Sequence, residues 1–198
     1  VSISGDGNTV AVGSRVDSPG TDSGSVTSFT LVGGTWTLKG AVIATGVTGD
    51  FTGYALSRMS TDGNLVAFSD LSHDKQSSET DLGGVSGNTH NNAGRVRVFK
   101  YENGAWSQRG SSLIGENAGD TLGAAVQMSE DGKYLIFSST NGGKVYIFEW
   151  NGTTYTQCGS TLTGVVGDKF GQGVDISKDG SIVAVGYREA DVAEGALG

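Results

Sequence analysis

Cysteine is all but missing from this sequence: Cys158 stands alone, so the chain cannot cross-link itself and no multi-cysteine zinc motif can be assembled. Placed after Gln157 in a strand-like run, it reads as a small buried hydrophobe rather than a reactive thiol. Basic side chains are also short in supply, 13 against 21 acidic ones, which leaves a net charge of −8. A nucleic-acid backbone or an anionic membrane would be repelled, and no basic patch offsets this. No apolar run is long enough for a membrane-spanning helix, and no signal-peptide pattern opens the chain. Because it begins without Met and inside a repeat, we expect a segment of a longer polypeptide. Only two histidines occur, His73 and His90. Both fall in one loop, and with no Cys–His or Gly-x-Ser-x-Gly pattern there are no parts for a nucleophilic triad or elbow.

Proline is nearly absent too, whereas glycine occurs 34 times among many Ser, Thr and Asn. That composition suits a turn-rich all-β chain. The turns recur. "SISGDGNTVAVGS", "RMSTDGNLVAFSD", "QMSEDGKYLIFSS" and "DISKDGSIVAVGY" each place Ser-x-Asp-Gly between two alternating apolar runs, which signals a hairpin. A second motif alternates with the first: "GSVTSFTLVGGTW", "GRVRVFKYENGAW" and "GKVYIFEWNGTTY" are strand–turn–strand units ending on Trp36, Trp106 and Tyr155. Two successive hairpins make a four-stranded antiparallel sheet of roughly 50 residues, the scale of a propeller blade. A third motif, Gly-Asp-x-x-Gly, links one unit to the next and carries Asp50, Asp120 and Asp168.

These patterns predict an all-β fold, a β-propeller of four-stranded antiparallel blades. About three and a half blades are expected, at 1–48, 49–118, 119–166 and, in part, 167–198, belonging to a larger, seven-bladed propeller. From each aromatic to the next Asp-Gly turn the spacing is nearly constant, so the variation falls in the connection between the second and third strands of a blade. That connection and the inter-blade links emerge on one face, and insertions gathered on one face of a repeat array mark a binding face.

The stretches "GDKFGQGVDISKDGSIVAVGY" and "GKVYIFEWNGTTYTQCGSTL" resemble the FG-GAP or integrin-α-like propeller repeats of marine protists, algae and bacteria. The resemblance implies a non-enzymatic binding or scaffolding module, extracellular or at the cell surface, that contacts a protein or glycan partner. Two alternatives stand beside it: a fragment of a carbohydrate-active or other hydrolytic propeller whose catalytic residues lie outside this chain, and an architectural subunit of a repeating extracellular assembly. The remaining blades, or another chain, are expected to cover the open sheet edge, with no nucleic-acid partner and no membrane insertion.

Integrin-type repeats hold calcium in acidic loops, but here each turn offers one carboxylate and one hydroxyl, far from the six to eight oxygens calcium takes. No cofactor is expected. Asp50, Asp120 and Asp168 read as carboxylates that accept backbone amides and lock the links, or, more sharply, as an acidic ring that attracts a cation or an amine. The insertion "LSHDKQSSETDLGGVSGNTHNNAG" gathers His73, Asp74, Glu79, Asp81 and His90. It reads as a solvated polar loop in preference to a metal site, and it is the first choice for a ligand contact. Trp36, Trp106 and Tyr155 are expected to pack between sheets, and "NGT" makes Asn151 an N-glycosylation acceptor.

Overall fold

Each Ser-x-Asp-Gly stretch closes a hairpin, and the wiring is the same four times. The hydroxyls of Ser4, Ser60, Ser129 and Ser177 donate to Asp6, Asp62, Asp131 and Asp179 at 2.5, 2.6, 2.6 and 2.7 Å. The same serine oxygens accept the amides of Thr9, Leu65, Tyr134 and Ile182. The aspartates accept the amides of Asn8, Asn64, Lys133 and Ser181. Glycine follows each aspartate because φ there is 73°, 65°, 68° and 75°. In the last copy the Ser177 hydroxyl, then the Ser181 amide, hold the Asp179 carboxyl down to about 2.

The structure, a computed structural model, describes residues 1–15, 22–43, 47–165 and 167–187. The first sheet runs β1 (Ser2–Ile3), β2 (Thr9–Ser14), β3 (Ser25–Val32), β4 (Thr35–Leu38). The second runs β5 (Thr52–Leu56), β6 (Leu65–Asp70), β7 (Arg95–Glu102), β8 (Ala105–Gln108), with β9 (Leu113–Ile114) also pairing with β7. The third repeats this plan as β10 (Val126–Met128), β11 (Tyr134–Ser139), β12 (Lys144–Trp150), β13 (Tyr155–Gln157) and β14 (Leu162–Thr163). A last hairpin joins β15 (Gly173–Ile176) to β16 (Val183–Gly186). All these pairings are antiparallel, and the chain is an all-β propeller of four-stranded blades.

Period-two alternation explains how the blades stack. On β6, Val66 and Phe68 join Ala11, Val26, Ile43 and Met59 between the first and second sheets, while Leu65 and Ala67 face the other way. Those two pack with Val126, Met128, Leu135 and Phe137 of the third sheet. Ile136 of β11 turns instead toward Phe170 and Ile176 of the fourth. A strand sandwiched between blades must be apolar on both faces, so β6 is buried along its whole length. The Ser-x-Asp-Gly turns are also tied from blade to blade: Asp6 N–H donates to the Thr61 carbonyl, Thr61 N–H to Glu130, and Glu130 N–H to Lys178.

A clamp repeats at the outer rim. Lys39 Nζ donates to the Gly63 carbonyl at 2.8 Å, and Arg109 Nη1 donates to the Gly132 carbonyl at 3.0 Å, each cation reaching the turn of the next blade. Each also lies over an aromatic ring, Lys39 over Tyr101 and Arg109 over Trp150 at 4.1 Å. The equivalent residue of the third blade is Cys158, which is half-buried instead of enclosed as expected. Cys158→Arg is expected to supply the missing donor and raise stability by about 1 kcal/mol, the net worth of an ordinary hydrogen bond. A higher urea midpoint at constant slope checks this, and an unchanged midpoint would show that the clamp contributes nothing.

The aromatics divide. Trp106 packs toward the preceding blade, its indole N–H donating to Ser28 Oγ at 2.8 Å and to the Lys39 carbonyl at 2.9 Å, and Tyr155 is buried with its hydroxyl donating to Gly132. Trp36 is 45% exposed, contrary to expectation, because it belongs to the first sheet and no other sheet among the described residues lies against it.

Candidate functional site

The Gly-Asp-x-x-Gly links and the loops between second and third strands share one face, and the backbone ties them together. Phe51 N–H donates to the Asp22 carbonyl, Thr52 to Ser23, Thr121 to Asn92 and Leu122 to Ala93. Each link carries a non-glycine residue at positive φ in the same place: Phe51 at 52°, Thr121 at 48° and Lys169 at 55°. The left-handed region disfavours such side chains, and three repetitions mark it as a built feature of the link.

The three link aspartates meet different fates. Asp120 accepts the Asn117 amide at 2.9 Å, the structural role expected of all three. Asp168 is partly exposed, with its N–H on the Val165 carbonyl. Asp50 is buried and does something else: one carboxylate oxygen lies 3.4 Å from His73 Nδ1, and the other accepts Arg95 Nη2 at 3.2 Å.

Around His73 the second blade holds a charged cluster that the sequence reading missed in part. His73 Nε2 lies 3.0 and 3.2 Å from the two oxygens of Glu79. Arg95 Nε donates to Asp70 Oδ2 at 2.7 Å, and its Nη1 is 3.5 Å from Glu79. Arg97 Nη2 donates to Asp70 Oδ1 at 2.9 Å. Its Nε sits 2.8 Å from Oδ2 but off the bonding direction, and it makes no hydrogen bond. The Arg97 guanidinium also rests on the Phe68 and Phe99 rings. Burial raises the Glu79 carboxyl, but the Gln76 amide, His73 and Arg95 outweigh it and hold the group below its ordinary value.

Asp70, Arg95 and Arg97 had a legible signal. Arginines at i and i+2 of a strand point to one face, and charges on a buried face must be paired, which calls for an acid at the end of the neighbouring strand. The register Asp70↔Arg95 between β6 and β7 supplies it.

The insertion is largely exposed, as its composition suggested, but it is pinned at a few buried side chains. Lys75 is fully buried, with Nζ donating to the Asn88 carbonyl at 3.0 Å and to Asn88 Oδ1 at 2.6 Å, and with Asp81 at 3.9 Å. Asp81 also accepts the Val85 amide. A single buried cation thus gathers the segment's polar groups inward, which composition cannot show. His90 pairs with Asn88 at 3.1 Å and bridges Lys75 through the backbone. Among the described residues no three His, Cys, Asp or Glu side chains are placed to hold a metal.

His73 and Asp50 form part of the wall of a cavity of about 520 Å³, completed by Phe51, Ser72, Asp74, Gln76, Asn91 and Asn92 among others. Asp74 is exposed and anchors the wall by accepting the Asn92 amide at 2.7 Å. A base candidate, an orienting carboxylate and a polar cavity of sugar dimensions therefore coincide on the loop-bearing face.

No protein-family model matches the sequence, and no curated protein matches it. Among solved structures the chain superposes on the periplasmic gluconolactonase of Pseudomonas aeruginosa with a TM-score of 0.56 and 15% identity, over 93% of this chain and 49% of that one. It also superposes on a protein of unknown function from Desulfotomaculum acetoxidans with a TM-score of 0.54 and 18% identity, over 92% and 46% of the two chains. A proposed 6-phosphogluconolactonase from Bacteroides uniformis superposes less well, with a TM-score of 0.48, 18% identity and coverage of 94% and 63%. The chain spans about half the length of the first two.

The likeness corrects the resemblance to FG-GAP and integrin-α-like repeats, because a structural neighbour with a stated activity is a gluconolactonase. The physical reason is that Ser-x-Asp-Gly is turn chemistry: each aspartate is consumed by its serine and by backbone amides, as any propeller hairpin could require. The adhesion, scaffold and architectural readings drawn from that resemblance lose their support. So does the expectation of a non-enzymatic chain, since a structural neighbour with a stated activity is a lactonase, and that protein is periplasmic.

Proposed function

We propose that this chain contributes blades and an acid–base group to a propeller that hydrolyses a lactone or a related cyclic ester. The observation that carries the reading is His73 on the cavity wall, backed by Glu79 at 3.0 Å and facing Asp50 at 3.4 Å. The fold likeness to a gluconolactonase supports it.

Glu79 accepts the Nε2–H and leaves Nδ1 as the base on the Asp50 side. Water in the cavity gives a proton to Nδ1 as its oxygen attacks the carbonyl carbon. The ring C–O bond then breaks, and the same proton passes to the leaving alkoxide oxygen, so the imidazole ends as it began. Blades beyond this chain complete the channel and cover the exposed Ile3, Trp36 and Leu38. We also propose a location outside the cytoplasm, extracellular or at the cell surface, which the periplasmic neighbour supports; there Asn151 on its exposed turn would be open to glycosylation.

The test is titration of acid released from glucono-δ-lactone by the whole protein that carries this chain. Opening of the lactone well above the spontaneous rate, with saturation, is expected. No acceleration across neutral pH, for this lactone and for five-membered sugar lactones alike, would overturn the reading.

A further inference from the structure

The charge of the cavity wall says which members of the substrate class fit. Two carboxylates, Asp50 and Asp74, line it, and among the described residues no lysine or arginine does. The nearest enclosed cation is spent elsewhere, and the other stands outside the wall. Arg95 is committed to Asp50, Asp70 and Glu79, and the exposed Arg15 lies over the Phe51 ring, 5.9 Å from its centre. A phosphate dianion brought here would meet two like charges and no bidentate donor, the reverse of a phosphate site. The wall also offers what a polyol needs: the hydroxyl of Ser72 and the amides of Gln76, Asn91 and Asn92 beside the Phe51 ring. Asp74 spends one oxygen on the Asn92 amide and keeps the other for a sugar hydroxyl.

From this we infer that the cavity takes a neutral polyhydroxylated ring and rejects its phosphorylated counterpart, so that the substrate is an unphosphorylated sugar lactone. The inference rests on the hydrolytic reading for the reaction, but the recognition can be measured without it. Ligand-observed NMR on the whole protein would compare glucitol with glucitol 6-phosphate, and kinetics would compare gluconolactone with its 6-phosphate.

We expect glucitol to bind at least about tenfold more tightly than its phosphate, with the same order in kcat/KM. Asp74→Lys should narrow or invert that ratio by about tenfold; because it also gives up the Asn92 amide contact, the urea midpoint is read alongside it. Equal or tighter binding of the phosphate would overturn the inference, and so would binding of neither polyol or a ratio that Asp74→Lys leaves unchanged. Preferential binding of glucitol without turnover of either lactone would uphold the inference and sink the hydrolytic reading, so the two failures are separable.

Discussion

Asp70→Ala is expected to destabilise the folded chain by about 3–5 kcal/mol, the range for removing one partner of a buried ion pair. The carboxylate is fully buried and clamped by two guanidiniums, Arg95 Nε at 2.7 Å and Arg97 Nη2 at 2.9 Å. Without it two positive charges face each other between the Phe68 and Phe99 rings and the second-blade loop, with only Asp50 and Glu79 left to answer them. Urea unfolding checks the loss. A second substitution shows its cause: Arg97→Met on the Asp70→Ala background should recover part of the stability, because it removes the charge that Asp70 had balanced. A cost below about 1 kcal/mol for Asp70→Ala would show that the cluster does not hold the second blade together.

Gly94→Ala is the second large effect, expected to cost about 3 kcal/mol or more through a disfavoured backbone angle together with a backbone clash. Gly94 has φ of 76°, and a methyl group there would run into the amide nitrogen and the carbonyl of Leu122. The residue is also a junction. Its N–H donates to the His73 carbonyl at 3.1 Å, and its carbonyl accepts the Gly115 amide at 3.1 Å. The substitution should therefore lower the melting temperature and loosen the His73 loop together. Gly104→Ala is a useful contrast: its φ is 84°, but a methyl group there meets nothing, so only the backbone strain of about 1–3 kcal/mol remains. Equal losses at both positions would remove the clash from the explanation.

Much of the fold could be read from the chain because its information is local. Ser4 to Gly7 and its three counterparts fix turn, φ and first cross-strand bonds within a handful of residues, and the alternation on β6 and β11 fixes which side chains meet the next blade. The placement of loops and links on one face followed from strand parity alone. The site was half legible. His73, Asp74 and Asp50 were singled out by residue type and place, but their grouping depends on contacts that cross the chain, such as Asp50 with Arg95 and Asp70 with Arg97. Composition indicated the exposure of the insertion but not its anchor, which forms only once Lys75 finds Asn88 and Asp81. Function was misread for a related reason: hairpin chemistry is shared by propellers that do different work, so a repeat motif reports the scaffold and says little about the site.

The account turns on whether His73 moves the proton, and the most direct measurement is kcat/KM for opening of glucono-δ-lactone by the whole protein with and without His73→Gln. Loss of about a hundred- to ten-thousand-fold is the result predicted for removing a general base, with the urea midpoint held near that of the parent and the pH profile of the residual activity flattened. An undiminished rate, with an unaltered pH profile, would contradict it.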